Sequence, residues 1–502
     1  MIRCKQEGLI PVSEHPSNPV SKERATIQAD TRGRLPIAYT TTILLFIGTS
    51  LAILLLRVYS VSQNYIWSAT GGLEGAGALG IFNACSGEVI YHDFSGTTVG
   101  FIFNFLFYEF YGFILKVFGS CYLTPLIGRG ISLVFLVALA ACLMHWFRHK
   151  IGLFERISLV SLVISPMVGW WAISLRPDVG GMMFFAVSVL ALLAYLERST
   201  ILNLSAAALF VFLAWSFKQT FIFIAPLITL FILTRSFKHA TLFVAILGLG
   251  LIATLLLMPS SYLTHTVYLP GEHPFLFSIG MRNAVSFLIK ASGLLAGAAL
   301  LICLLPRSRL AEPRNVFLLS AFAFSVAVFG VAAAKVGAAD NYFFPSFALL
   351  IIFLMQNVSH VVARRRQTVL SVVAILTITS NAVLLSGVRG RTSLDMSPKM
   401  EILAAKQALM QTPGPKLIWG ELIARPWITP QAETRILDGY IDFYQTKPIP
   451  GVLDIAGRVG SGYYATVAIP VTEARNFDLS GYELKGQFGA TRLWIRKGSP
   501  AK

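Results

Sequence analysis

From Ile37 to Leu385 the sequence is a succession of apolar runs, each near the length needed to cross a membrane, separated by short polar breaks. A helix rises about 1.5 Å per residue and a bilayer core is about 30 Å thick, so roughly 20 apolar residues make one span. In lipid every backbone polar group must be bonded internally, and a helix does this within a single segment. Recurring runs of this kind therefore dictate a multi-pass α-helical membrane protein. Composition agrees, with 55% hydrophobic and only 13% charged residues in a chain of 502, where soluble domains carry roughly a quarter charged.

Residues 1–35 are polar and hold Arg3, Lys5, Lys22, Arg24, Arg32 and Arg34. Basic flanks stay cytoplasmic, so this tail reads as cytoplasmic and the first span, Ile37 to Leu56, as an uncleaved signal anchor. The loop 58–124 is then external. Within it Val99 to Phe118 is apolar but carries Asn104, Glu109 and Lys116. Making it a span would turn Arg148, His149, Lys150, Arg156 and every later basic cluster outward, so it reads as an amphipathic juxtamembrane helix. Further spans are expected at Thr124 to Trp146, Ile157 to Leu175, Val179 to Tyr195, Leu202 to Phe217, Phe221 to Thr234, Ala240 to Met258, Ala284 to Leu305, Val316 to Ala334, Tyr342 to Val358 and Val369 to Leu385. About eleven spans result over a module 36–388, and an odd number puts the C-terminus outside.

From Arg389 the composition turns mixed and proline-rich. A helix is expected from Met400 to Met410, and strands at Lys416 to Trp419, Ala465 to Ile469, Tyr482 to Gly486 and Arg492 to Arg496. Residues 389–502 thus read as a small extracytoplasmic α/β domain, with no catalytic motif of its own.

The formal net charge of +17 does not point to nucleic acid. The Lys and Arg residues fall in short clusters between apolar runs, as cytoplasmic loops do. None of the five cysteines shows metal-ligand spacing, and His92 beside Asp93 would point to opposite faces of an extended segment, so no metal site is implied. Cys85 and Cys121 share the external loop, where a disulfide between the two juxtamembrane segments is permitted. Lone cysteines in membrane proteins are more often free, and both states stay open.

On this topology Glu74, Asp93, Arg176, Asp178, Lys218, Glu272, Arg282, Lys335 and Asp340 all fall on or near the external side. Ionisable groups at that depth are costly to bury unpaired and mark candidate sites. Each also has a plain structural reading. Asp178, after Pro177, can cap the helix that follows; Lys218 can snorkel to the interface; Asp340 can cap beside the belt residue Tyr342. Glu74, among glycines in an apolar stretch, has little structural work to do.

Taken together these segments resemble the GT-C superfamily of polyprenyl-phosphate-sugar-dependent glycosyltransferases, which includes protein O-mannosyltransferases and lipid A aminoarabinose transferase. The resemblance covers about the first two-thirds of the chain by order and sidedness. Glu74 matches the family's first acidic position, and Gly87 to Phe94 looks like its G-x-x-x-Y-x-D-F stretch. Phe101 to Gly112 looks like the second juxtamembrane helix, and Gly128-Arg129 like the G-R that opens the next span. Arg176-Pro177-Asp178 matches the R-P-D of the second external loop, and Lys218-Gln219-Thr220 and Asn341-Tyr342-Phe343 match recurrent segments. The chain departs from the family in having one carboxylate where an Asp-Glu pair is usual, and Thr97-Thr98-Val99 where Pro-Pro often opens the second helix.

The resemblance implies attack by an acceptor hydroxyl on a sugar held by a polyprenyl phosphate, with inversion at the anomeric carbon. Glu74 is the expected base, with Asp93 as the alternative; Lys218, Arg176 or Arg282 would meet the phosphate, and Asp178 would orient sugar, acceptor or Arg176. Asn341 and Tyr342 complete the expected binding set. The expected partners are the lipid-linked donor, a glycan, lipid or protein acceptor and membrane lipids, in the inner (plasma) membrane. No cofactor is required, and a divalent metal is left open. A secondary transporter or flippase is the rival class, but its polar groups would gather near the bilayer midplane. A noncatalytic assembly protein is a third reading.

Overall fold

The computed structural model describes residues 36–63, 70, 73–91, 101–271, 273–392, 404, 407–409, 411–418, 455–471, 474–488 and 491–498. The expected cytoplasmic tail and seven of the eleven residues of the expected Met400 to Met410 helix lie outside them.

Among the described residues seven helices are long and apolar enough to cross a membrane: Ile37–Ser62, Cys121–Trp146, Asp178–Arg198, Phe237–Leu257, Pro313–Ala332, Asp340–His360 and Ala363–Leu385. A bent pair, Phe277–Lys290 and Ser292–Leu304, makes eight if it is one span, and Ile201–Phe217 and Gln219–Leu233 are shorter apolar helices. The chain is thus multi-pass and helical, as expected, without the full count of about eleven by the length rule. Two of the expected spans differ in kind. Ile157 to Leu175 is not one helix: an α-helix Leu153–Val160 gives way to 3-10 turns Ser161–Ile164 and Gly169–Ile173. The cause is Pro166, which has no N–H to donate and drives Ser165 to extended backbone at ψ 172°. Ala284 to Leu305 is bent by 69° near Ala291. There Gly293 lies so close to the opposite helix that a Cβ would fall 2.4 Å from the Val373 carbonyl oxygen, so only glycine fits.

The segment Val99 to Phe118 forms a helix only over Phe105–Val117, burying Phe107, Tyr108, Tyr111, Gly112 and Leu115. Thirteen residues reach about 20 Å, short of the ~30 Å core. It packs beside the helix Leu73–Ser86, and Cys85 and Cys121 are joined in a disulfide across 36 residues. The bridge, not the free thiols, is what the loop adopts.

The four C-terminal strands lie where the alternating pattern placed them: β1 (Lys416–Ile418), β2 (Thr466–Pro470), β3 (Tyr482–Phe488) and β4 (Thr491–Arg496). They form one sheet in the order β1-β2-β4-β3, with β1 parallel to β2 and the other pairs antiparallel. Val467 and Ala468 of β2 pair with Trp494 and Leu493 of β4, and all four are buried.

Candidate functional site

Helices begin or end where the polar residues gather, and this brings residues far apart in sequence to one end of the bundle. Glu74 lies in the first turn of Leu73–Ser86 and is buried. Its Oε1 accepts from Arg129 Nε at 3.0 Å and from the Leu175 backbone N–H at 3.1 Å; its Oε2 accepts from the Thr70 N–H at 3.0 Å and the Thr70 hydroxyl at 3.3 Å. Burial would raise this carboxyl, but Arg129, the two backbone donors and Arg176 together hold it below the usual carboxylate range. Thr70 passes the arrangement on, its carbonyl accepting from Arg176 Nη2 at 2.9 Å.

The Arg176 guanidinium stacks over Trp171, 4.9 Å from the ring centre. Two residues on, Asp178 opens the helix Asp178–Arg198, yet its side chain makes no capping bond. Instead Oδ1 accepts from Lys218 Nζ at 2.5 Å and from Asn341 Nδ2 at 2.7 Å. Lys218 follows the last residue of Ile201–Phe217; it does not snorkel but is buried, with its ammonium 4.5 Å from the Tyr342 ring centre. Burial pulls it below the usual lysine range, with Asp178 opposing. The Asn341 amide is oriented by chemistry, since only its NH₂ can face a carboxylate.

Arg176, Lys218, Asn341 and Tyr342 share a cavity of about 60 Å³ with Ile102, Phe103, Pro270, His273 and Lys335–Gly337, room for several waters. Its outer wall is a clasp between two connecting segments. The Leu276 N–H bonds the Ala334 carbonyl at 2.8 Å and the Val336 N–H the Pro274 carbonyl at 3.0 Å. Lys335 Nζ donates to the Pro270 and Gly271 carbonyls, and His273 Nδ1 lies 2.7 Å from the Val336 carbonyl. The inner wall, Ile102 and Phe103, is tied down by Gln219, whose Nε2 donates to the carbonyls of Ile102 at 2.6 Å and Thr266 at 2.9 Å. Asn104 beside it bonds the Trp215 carbonyl and accepts from the Tyr262 hydroxyl.

Asp340 does not cap. It is bonded by Lys290, by Ser286 at 2.7 Å and by the Trp171 indole at 3.4 Å, so Trp171 joins this third, partly buried ion pair to Arg176.

Of the residues singled out from the sequence, Arg176, Lys218, Lys335, Asn341 and Tyr342 line the cavity; Asp178 stands behind Lys218 and Asn341, and Glu74 behind Arg176. Arg282 lies on an exposed turn of Phe277–Lys290, apart from the lining. Asp93 and Glu272 lie outside the described residues. Sequence reasoning passed over His273, which no motif marks, and Lys290, which sits inside an apolar run. Among the described residues no three His, Cys, Asp or Glu side chains come together as a metal site.

A bundle of this order, with its site at the helix ends, shares the fold of ArnT. It matches the crystal structure of ArnT from Cupriavidus metallidurans bound to undecaprenyl phosphate at a TM-score of 0.59 and 11% identity, over 92% of this chain and 99% of that one. The apo ArnT structure from the same organism matches at 0.55 and 12%, over 91% and 98%. No family model matches the chain, and no curated protein does.

Proposed function

We propose that this protein is an integral membrane glycosyltransferase that moves a sugar from a polyprenyl phosphate to a hydroxyl of a cell-envelope acceptor, on the extracytoplasmic side of the inner membrane. The observation that carries the reading is the pairing of two buried cations, Arg176 and Lys218, in one cavity of a fold shared with a protein crystallised with undecaprenyl phosphate. Cations held in a low-dielectric pocket are suited to receive the charge that develops on a leaving phosphate. Asp178, itself bonded by Asn341, keeps Lys218 in place, and Tyr342 forms the wall beneath its ammonium. Glu74, engaged by Thr70, Arg129 and Leu175, serves the site by holding the backbone that carries Arg176. Attack from the face opposite the phosphate inverts the anomeric carbon.

Sidedness is supported by the Cys85–Cys121 disulfide, since such bonds persist in oxidising compartments. Cys121 precedes the helix Thr124–Trp146 at the same end as Arg129, which reaches the site through Glu74.

Mass spectrometry of the lipids that purify with the protein tests the reading. A polyprenyl phosphate or its glycoside should accompany the wild type and be lost from Lys218→Ala. Absence of such lipid from the wild type, together with substrate-driven uptake in vesicles, would favour a transporter instead.

A further inference from the structure

Asp340 has no part in the function proposed above, yet it is buried and opens the 3-10 turn Asp340–Phe343, which carries Asn341 and Tyr342 into the cavity wall. Both of its carboxylate oxygens are used, and by different elements. Oδ2 accepts from Lys290 and from the Ser286 hydroxyl at 2.7 Å, neighbours one turn apart on the helix Phe277–Lys290. Oδ1 accepts from the Trp171 indole at 3.4 Å, in the turn Gly169–Ile173. The Trp171 ring in turn lies beneath the Arg176 guanidinium. One carboxylate is thus fastened to the backbone of one cavity wall and to the ring that supports the other.

The helix that holds Asp340 grips the same segment along one face. Asn283 Nδ2 donates to the carbonyls of Ala333 at 2.8 Å and Ala338 at 3.1 Å, on either side of the lining residues Lys335–Gly337. Phe287 stacks on Phe343, ring centres 4.5 Å apart and planes within 13° of parallel. Asn283, Phe287 and Lys290 are four and three residues apart, the spacing of a single helix face.

Stability alone does not call for a carboxylate in that row. Taking charges out of water is costly, and apolar side chains of similar volume hold two elements together at least as well. What the charge adds is direction, because donors from two elements fix each oxygen separately. Resting on the transferase reading above, we propose that Asp340 is a positioning residue: held by Lys290 and Ser286, it sets Arg176 through Trp171, and Asn341 and Tyr342 through the backbone, where the leaving phosphate needs them. Asp340 is not among the described lining residues, so it acts through these groups.

The test uses the full-length protein in detergent and has two readouts. The first needs no turnover: NMR of protein labelled with nitrogen-15 at its 8 tryptophan indoles, with the Trp171 signal assigned by its loss in Trp171→Phe. That signal should shift in Asp340→Asn, whose NH₂ must face a donor on one side or the other, and in Lys290→Met. It should hold still in Cys303→Ser, at an exposed cysteine. A Trp171 signal unmoved by both variants overturns the inference whatever the activity.

The second readout is release of polyprenyl phosphate from a panel of polyprenyl-phosphate-linked hexoses and pentoses, at a temperature where every variant is folded. Asp340→Asn should lower kcat about 10²-fold, the effect of a misplacement of about 1 Å, with a smaller change in KM. Lys290→Arg, which still donates, should keep most of the rate that Lys290→Met loses. Trp171→Phe keeps a ring under Arg176 but donates nothing, and its loss combined with Lys290→Met should be less than the product of the single losses, since both act through one carboxylate. Losses that multiply would mean unconnected structural effects and overturn the role. Wild-type turnover in folded Asp340→Asn and Lys290→Met would also overturn it, and would leave the transferase reading standing. A wild type that neither binds undecaprenyl phosphate nor turns over any of the panel would sink both.

Discussion

Glu74 and Arg129 meet end-on inside the bundle, Nε and Nη2 of the arginine each 3.0 Å from the same carboxylate oxygen. The pair locks the helix Leu73–Ser86 to the helix Thr124–Trp146. Neither charge has access to bulk water, since the two side chains are 2% and 5% exposed.

Replacing one partner should therefore cost stability before it costs chemistry. Glu74→Gln leaves Arg129 buried without its counter-ion, a loss of about 3–5 kcal/mol, and thermal unfolding in detergent should show it. The double replacement Glu74→Leu with Arg129→Met should recover much of that loss, because apolar residues of similar volume need no desolvation. If Glu74→Gln melts like wild type, the ion pair is not what holds this region.

Acid should act on the same pair. The folded-state affinity of Glu74 for a proton lies below the usual value of 4.5, so the unfolded chain binds that proton more readily. Its contribution to stability is present above pH 4.5, and drains away as pH falls from there through the lower folded value. A melting series from pH 7 to 3 should show a fall at the acid end that is smaller in the double replacement.

Gly77 faces the loop that carries Arg176: a Cβ there would stand 2.3 Å from the Leu175 carbonyl oxygen. Backbone cannot yield as a side-chain tip can. Gly77→Ala should cost about 1–3 kcal/mol and displace Arg176, lowering retention of polyprenyl phosphate more than a surface Gly→Ala control of equal stability. Unchanged lipid retention at normal stability would disconnect Gly77 from the site.

The disulfide offers a chemical check. Alkylation without reductant should modify Cys142 and Cys303, which are free, and spare Cys85 and Cys121. Closing a loop across 36 residues is worth roughly 3–4 kcal/mol by loop entropy, so Cys85→Ser with Cys121→Ser should melt earlier by a corresponding amount. Full labelling of all the cysteines under native, non-reducing conditions would contradict the bridge.

Breaking the contact between Asn341 and Asp178 probes the binding wall more gently. Asn341→Ala removes one of two donors to a buried carboxylate, a cost of about 1.5–3 kcal/mol for a charged hydrogen bond. Asp178 then keeps only its Lys218 donor, and titration with undecaprenyl phosphate should show weaker binding with the protein still folded.

The sequence by itself determined what depends on neighbours along the chain. Run length settled the membrane-spanning class, alternation located all four strands, and the order of Arg176-Pro177-Asp178, Lys218 and Asn341-Tyr342 marked the residues that converge, because each sits at the end of an apolar run where a polar group can be tolerated. The break near Pro166 was also written locally, though an apolar run masked it. Tertiary structure decided the rest. Whether Glu74 faces a ligand or an arginine 55 residues away, whether Lys218 snorkels or turns inward, whether Cys85 finds Cys121, and whether His273 or Arg282 reaches the cavity all depend on which helices pack together. Such long-range pairings arise from burial, which forces every enclosed charge to find its partner, and no local pattern encodes where that partner lies.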